Sequence, residues 1–438
     1  MLIQKSDSFL SFFSDSDIKV SIEGDLEEAK ADFDSKLAKR LSTTGDAVNQ
    51  DEDDEEPKEE EEEDGENDSK KKKTSSTSSN RDHEAMKKLL NTHPLKVHIK
   101  VGIAKNTDNA VTMIFSHITE LEVVTVQVKL NLDQVSKSQS GEREVLQAQQ
   151  LLAHLLNPND DGNTCPNPAF RYILKNHGLD TSPGMFSHLG AMYSWAQQLS
   201  GLKFPDLVQA ESESLSSDSA AESLQTNSIV ADASICQSFV EKIIKAIRER
   251  LVSRIALQRQ IFQLDKSKLI SVELEIPEKC KSQFPPKISS VVRAWAPVSW
   301  EQFAALDVTR HLVETKAVNE HDYLFRLQLN RDTHASLIAL IAVNPDYPNT
   351  LPIFCLNLHW NGEHNIHNSE NLRALEKSVN FGFIELLDQK GPEKYEILSL
   401  QIKKLMASFD VLLESWQMQG TDFKMDFPRE KIFLHPVR

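Results

Sequence analysis

Apolar residues recur at every second position in three neighbouring stretches: Val97/Ile99/Val101/Ile103, Val111/Met113/Phe115 and Val124/Val126/Val128/Leu130/Leu132. That is the period of half-buried strands. The polar breaks between them, Asn106-Thr107-Asp108-Asn109 and Thr119-Glu120, are short, so the three strands predict an antiparallel meander. A short helix over 82–91 is predicted before it. Helical spacing follows over 142–156, then a Pro/Asn-rich loop (157–168) and a second helical segment over 186–199 closed by Gly201. The order then repeats. Val240, Ile244, Ile247, Leu251 and Ile255 predict a long amphipathic helix over 232–264, and strands are predicted near 291–295, 323–329, 337–343 and 353–360. Two helices close the chain, over 370–387 and 393–416. Near the start, Ile18, Val20 and Ile22 read as one short strand before a helical segment over 25–41, a piece too small to stand alone that needs a sheet to join.

One hairpin stands out. Leu337–Val343 is apolar on both faces, as in a central strand, and Phe354, Leu356, Leu358 and Trp360 alternate with Cys355, Asn357 and His359. Between them the turn carries Tyr347, Pro348 and Pro352. The prolines lack an N–H and fix φ, so the ladder stops there, and the Tyr347 hydroxyl is expected to satisfy backbone groups of the turn itself.

Net charge is −17, but 15 acids against one lysine lie between Asp46 and Asp68, and everything else carries only −3. The acidity is an insert. Residues 42–82 and the Ser/acid-rich 206–228 cannot bury enough apolar area to offset ordering entropy and are expected to be disordered linkers. They divide the chain into a strand/helix element (1–41), a first domain (83–205) and a second (229–438) headed by the long helix. The expected class is α+β: tandem domains, each an antiparallel meander with helices packed on one face. No apolar run approaches the ~20 residues of a membrane-spanning helix. Cys165, Cys236, Cys280 and Cys355 have no paired spacing, which speaks against a disulfide framework or a zinc ribbon.

Chemistry-bearing residues are few. Cys355, His359, His364 and His367 have ligand-like spacing, but four residues along a strand separate Cys355 from His359 by ~13 Å, too far to share one zinc. A buried thiol and loop histidines are the favoured reading, so no metal, cofactor or catalytic residue is assigned. Lys242, Lys245, Arg248, Arg250, Arg254 and Arg259 would offer the long helix a basic face for RNA phosphates or an acidic partner. Four acids offset that face and no aromatic side chains interleave, so any RNA contact is expected to be weak or indirect. Lys70, Lys71, Lys72 and Lys73 form a short run of the nuclear-import kind, in competition with a plain solvated linker.

The Tyr-Pro-x-x-x-Pro turn followed by His359-Trp360-Asn361 resembles the corresponding hairpin of RWD domains and ubiquitin-conjugating enzymes. In the enzymes a nucleophilic cysteine follows that step, whereas no cysteine occurs from Asn361 to Arg438. Further blocks, read in order, are His93-Pro94-Leu95-Lys96-Val97, Pro166-Asn167-Pro168-Ala169, Gly201-Leu202-Lys203-Phe204-Pro205, Leu358-His359-Trp360-Asn361-Gly362-Glu363 and Asn371-Leu372-Arg373-Ala374-Leu375-Glu376. Together with Ile22-Glu23-Gly24 and the acidic insert they resemble the THO complex subunit 5 family. The resemblance implies tandem RWD-like domains and a non-catalytic, nuclear scaffold of the THO/TREX assembly that couples transcription and mRNA processing to export. Its partners would be other THO/TREX subunits and mRNA export factors, with no membrane or small-molecule substrate. The alternative is an inactive relative of the conjugating enzymes, binding ubiquitin or a ligase. The family's N-terminal coiled-coil half has no counterpart among these residues, since no heptad run occurs near the start.

Overall fold

The computed structural model describes residues 18–45, 85–103, 109–132 and 151–204, then 228–266, 277–331, 334–366 and 369–420, apart from short gaps inside those ranges. The linker expectations for 42–82 and 206–228, and the lysine run at 70–73, fall outside them almost entirely. The architecture is α+β, with one four-stranded and one five-stranded antiparallel sheet. The chain forms two compact units, residues 1–133 with 152–246, and 134–151 with 247–438.

In the first unit the sheet order is β1 (Ile18–Glu23), β2 (Lys96–Gly102), β3 (Ala110–Ile118) and β4 (Val123–Asn131), each strand paired with its sequence neighbour. β1 pairs along its whole length with β2, from Ile18 opposite Val101 to Glu23 opposite Lys96. Helix α1 (Leu26–Gly45) follows β1, and the Asp25 carboxylate caps it by accepting the Glu27 and Glu28 N–H groups at 2.8 and 3.2 Å. The alternating residues Val97, Ile99, Val101, Met113, Phe115 and Val126 are all buried, as their period requires. Helices α2 (Phe170–Asn176) and α3 (Ser194–Leu199) complete the unit. Trp195 of α3 meets Phe115 edge-on at 6.2 Å.

The helix predicted over 186–199 is a correction, because only its last six residues are helical. Gly190 adopts φ +104°, a left-handed conformation that suits glycine, and a Cβ there would lie 2.5 Å from the Val126 carbonyl oxygen. That close approach lets Ala191 exchange two backbone hydrogen bonds with Val126, at 2.8 and 3.0 Å.

In the second unit β5 (Val291–Pro297), β6 (Tyr323–Arg331), β7 (Ala335–Val343), β8 (Ile353–Trp360) and β9 (Glu363–Ile366) also follow sequence order across the sheet. Tyr323, Phe325, Leu327, Leu337, Ala339, Ile341, Phe354, Leu356 and Leu358 form the buried face. Against it pack the end of α4 (Ser228–Lys266), through Leu257, Ile261 and Leu264, with α8 (Glu370–Phe381) and α9 (Ile397–Gln419). Burying a row of such side chains, at about 1.5–3 kcal/mol each, is the main driving force for this layer.

The opposite sheet face differs from expectation. Leu324, Leu340, Ala342 and Cys355 form a second buried cluster with Phe303 and Val318, on the short helical stretch of α6 (Trp300–Ala304) and α7 (Arg310–Glu314). Helices of five residues leave too little periodicity to be read from sequence. α5 (Glu278–Lys281) is similarly short, and β9 was not predicted.

Candidate functional site

The proline-rich turn was the most distinctive sequence feature, and the structure places it between β7 and β8. Asn344 organises it: its side-chain oxygen accepts the Asp346 N–H at 2.8 Å, and its amide donates to Asp322 at 3.0 Å. The Tyr347–Pro348 peptide is cis. Tyr347 is only 2% exposed, and its hydroxyl does not serve the turn. It donates instead to the Tyr395 carbonyl at 2.7 Å and accepts from the Leu398 N–H at 3.4 Å. The expectation of a local role for that hydroxyl is therefore corrected: the turn folds inward, bringing the ring to the start of α9. Pro352 contributes its carbonyl, which accepts from the Gln401 amide at 3.1 Å.

Gln260 of α4 completes this knot. Its amide nitrogen donates to Tyr395 at 2.7 Å, and its oxygen accepts the Ser399 N–H at 2.9 Å. The first turn of α9 has no side-chain cap from its own N-cap residue Glu396, so Tyr347 and Gln260 satisfy the N–H groups that every helix start leaves open. Burial pushes the Tyr347 hydroxyl pKa upward, so it remains a neutral donor. No property of Gln260 alone marked it in the sequence, since Tyr347, Tyr395 and Ser399 lie 87 and more residues away.

Cys355 is 1% exposed and its thiol donates to the Val308 carbonyl at 2.9 Å. Burial, and after it the charge of Glu376, push its pKa up to about 12, the reverse of what a nucleophilic or metal-binding thiolate needs. His359 lies on the same strand, half buried; the side chain of His364 and all of His367 fall outside the described residues. Cys165 is raised to about 11, again by burial. Among the described residues no three His, Cys, Asp or Glu side chains form a metal-sized cluster.

The six basic residues singled out on α4 do not make one face. Lys242, Lys245 and Arg259 are exposed, whereas Arg248 and Arg250 are half buried. Arg254 is 1% exposed, donates to the Pro345 carbonyl at 2.6 Å and lies 4.9 Å from the centroid of the Tyr323 ring. A surface contact through Arg254 is thus a correction. A straight helix drifts against a fixed apolar pattern, so the inward stripe moves from Leu251 to Arg254, Leu257, Ile261 and Leu264 while Ile255 turns half out.

One strand of each sheet, β4 and β8, has part of its outer margin closed by side chains. In the first unit Gln197 of α3 accepts the Val124 N–H at 2.8 Å and donates to the Val124 carbonyl at 2.7 Å, reproducing a strand partner with one amide. In the second, Asn380 of α8 does the same to Phe354, at 2.8 and 3.0 Å, and Glu376 accepts the Leu356 N–H at 2.8 Å. Val124 and Phe354 are each the second residue of their strand.

Comparison with known proteins adds what geometry cannot. Residues 4–204 match the family described as Fms-interacting protein/Thoc5. The chain is 34% identical over 356 residues to the THO complex subunit 5 homolog of Danio rerio, an alignment spanning 80% of this chain and 48% of that protein. The chain belongs to the THO complex subunit 5 family. The THO complex subunit 5 homolog B of Xenopus laevis is 32% identical and the THO complex subunit 5 of Homo sapiens 28%, each over 80% of this chain and 48% of the relative. The chain therefore spans about half the length of these THO complex subunit 5 relatives.

Proposed function

We propose that this chain is a non-catalytic scaffold subunit of the nuclear THO/TREX assembly, holding other subunits and mRNA export factors together by surface complementarity. The observation that carries the reading is the 34% identity to a THO complex subunit 5 homolog across four-fifths of the chain. Two structural features support it. Cys355 sits inside a strand with its thiol bonded to Val308, away from solvent, where burial and the Glu376 charge outweigh the lowering effect of Arg373. The hairpin around Tyr347 is spent on internal packing, consistent with an RWD-like domain that keeps the conjugating-enzyme hairpin without its chemistry. RNA contact is weak or indirect, because the basic side chains of α4 are partly turned inward.

Affinity purification of the full chain from nuclear extract, followed by mass spectrometry, tests this: THO subunits and mRNA export factors are expected among the recovered proteins. Recovery of ubiquitin ligases in their place would favour the adaptor reading. Incubation with ubiquitin and its activating enzyme is expected to give no thioester, and a reducible adduct lost in Cys355→Ala would overturn the scaffold reading. Loss of nuclear accumulation on replacing Lys70, Lys71, Lys72 and Lys73 with Ala would assign them as the import signal.

A further inference from the structure

Arg254 poses a chemical problem inside the second unit. A guanidinium stays charged at any pH a protein meets, and it offers five N–H donors in a planar fork. Here one nitrogen, Nη2, reaches the Pro345 carbonyl, while Nε and Nη1 are buried without a hydrogen-bonded acceptor among the described residues. The Tyr323 ring covers one face of the guanidinium at 4.9 Å, where the tyrosine serves as a cation–π and polar neighbour but not as an anion. A buried cation with open donors is costly unless an anion completes it.

One helical turn earlier on α4, Arg250 lies beside it, with its side chain 10% exposed. The carboxylate of Asp346, in the turn after β7, is 3.6 Å from Arg250 and half exposed. Arg250 also donates to the Leu151 carbonyl at 3.4 Å, so among the described residues two guanidiniums share this corner with one carboxylate, leaving a net positive charge where α4, the Asn344–Pro348 turn and the start of β6 meet. Burial, and after it the neighbouring Arg254 charge, weaken Arg250's hold on its proton, so each cation gains from a further negative charge.

We propose that Arg250 and Arg254 form a binding site for a single oxyanion, a phosphate or carboxylate group held bidentately by the two forks. Planar forks match the geometry of both groups, and one monoanion would cancel the excess charge. A polynucleotide does not fit, because it needs a row of exposed cations and Arg254 is enclosed. The ligand is either a free ion or the tip of an acidic or phosphorylated side chain from a protein segment. Asp346 is the internal competitor: the half-exposed carboxylate against which the ligand must bind.

The test titrates the full chain with inorganic phosphate, and separately with a short peptide carrying one phosphoserine, by calorimetry and thermal shift. Saturable binding is expected, at least tenfold weaker in Arg250→Gln and Arg254→Lys and several-fold tighter in Asp346→Asn, with Lys242→Ala/Lys245→Ala unchanged. Arg250→Gln is the primary variant because Arg250 stands at the mouth, and circular dichroism establishes that it is folded. Tighter binding of the phosphopeptide than of phosphate assigns the source to a partner segment; equal binding assigns it to the free ion. Non-saturating shifts, equal shifts in wild type and Arg250→Gln, or no binding of either probe would overturn the site and leave water to satisfy the donors.

Discussion

The two units solve one problem with different thoroughness. Each is a meander with a strand, β4 in the first and the start of β8 in the second, whose outer N–H and C=O groups lack a strand partner, and each closes that strand at its second residue with a helix-borne amide. Gln197 is wholly buried, its amide nitrogen also donating to Tyr193, and the next outward-facing residue, Val126, is covered by Ala191. Asn380 is half buried, and its strand is covered in series by Glu376 and then by β9 opposite Leu358 and Trp360. The first unit relies on a dry amide followed by the Ala191 bridge, and the second on three partly wet contacts. A buried polar group left unmade costs far more than one that water can reach, so the same device carries unequal weight in the two halves.

The largest effect is expected from Gln197→Leu, which strands both backbone groups of Val124 and should cost about 3 kcal/mol. Denaturant unfolding read by hydrogen exchange at β4 and β8 would assign that loss to the first unit alone; equal loss of protection in both would break the comparison. Next comes Trp360→Ala. Trp360 is half buried against Trp416, with ring centroids 5.1 Å apart, so about 2–3 kcal/mol is expected, to be measured as the change in urea midpoint. Asn380→Ala should cost about 1 kcal/mol, since water can reach the groups it leaves. A cost equal to that of Gln197→Leu would mean that exposure is not what separates the units.

The smallest effect has the opposite sign. Lys404 of α9 is 1% exposed, its amine has no hydrogen-bond partner among the described residues and lies 5.7 Å from the Phe383 ring, and burial lowers its pKa to about 8. A base whose folded pKa is depressed binds more protons unfolded than folded between that pKa and its ordinary one. Its burden on stability is therefore full below pH 8 and is relieved as pH rises toward the ordinary lysine value of 10.5. Lys404→Met should raise stability by about 1 kcal/mol at pH 7 and remove this rise between pH 8 and 10, followed by urea midpoints across that range.

Much of this fold was legible because strand periodicity is local. Val97 to Val101 and Phe354 to Leu358 declare their buried faces within a few residues, and the sheet follows. The short helices α6 and α7 were not legible, because five residues span barely more than one turn, and with them went the second apolar face that buries Cys355. Gln197 and Asn380 look like ordinary polar residues until the fold brings Val124 and Phe354 to them. Arg254 was misplaced for a related reason: a charged residue was assigned outward by type, while the helical twist and the Tyr323 ring carried it inward. The buried setting of Cys355 could be anticipated, since neighbours Phe354 and Leu356 already implied an apolar surrounding.

The amide closures also bear on solubility. Where a sheet margin is finished by backbone, as at β9, sequence change along it is broadly tolerated, since every residue type supplies nearly the same N–H and C=O. At Val124 and Phe354 the finish is a side chain, so a single base change can remove it. A closed margin then becomes an adhesive one, ready to template the pairing of another chain. Variants of Gln197 and Asn380 should accordingly show themselves first as aggregates during expression, before any loss of binding is measurable.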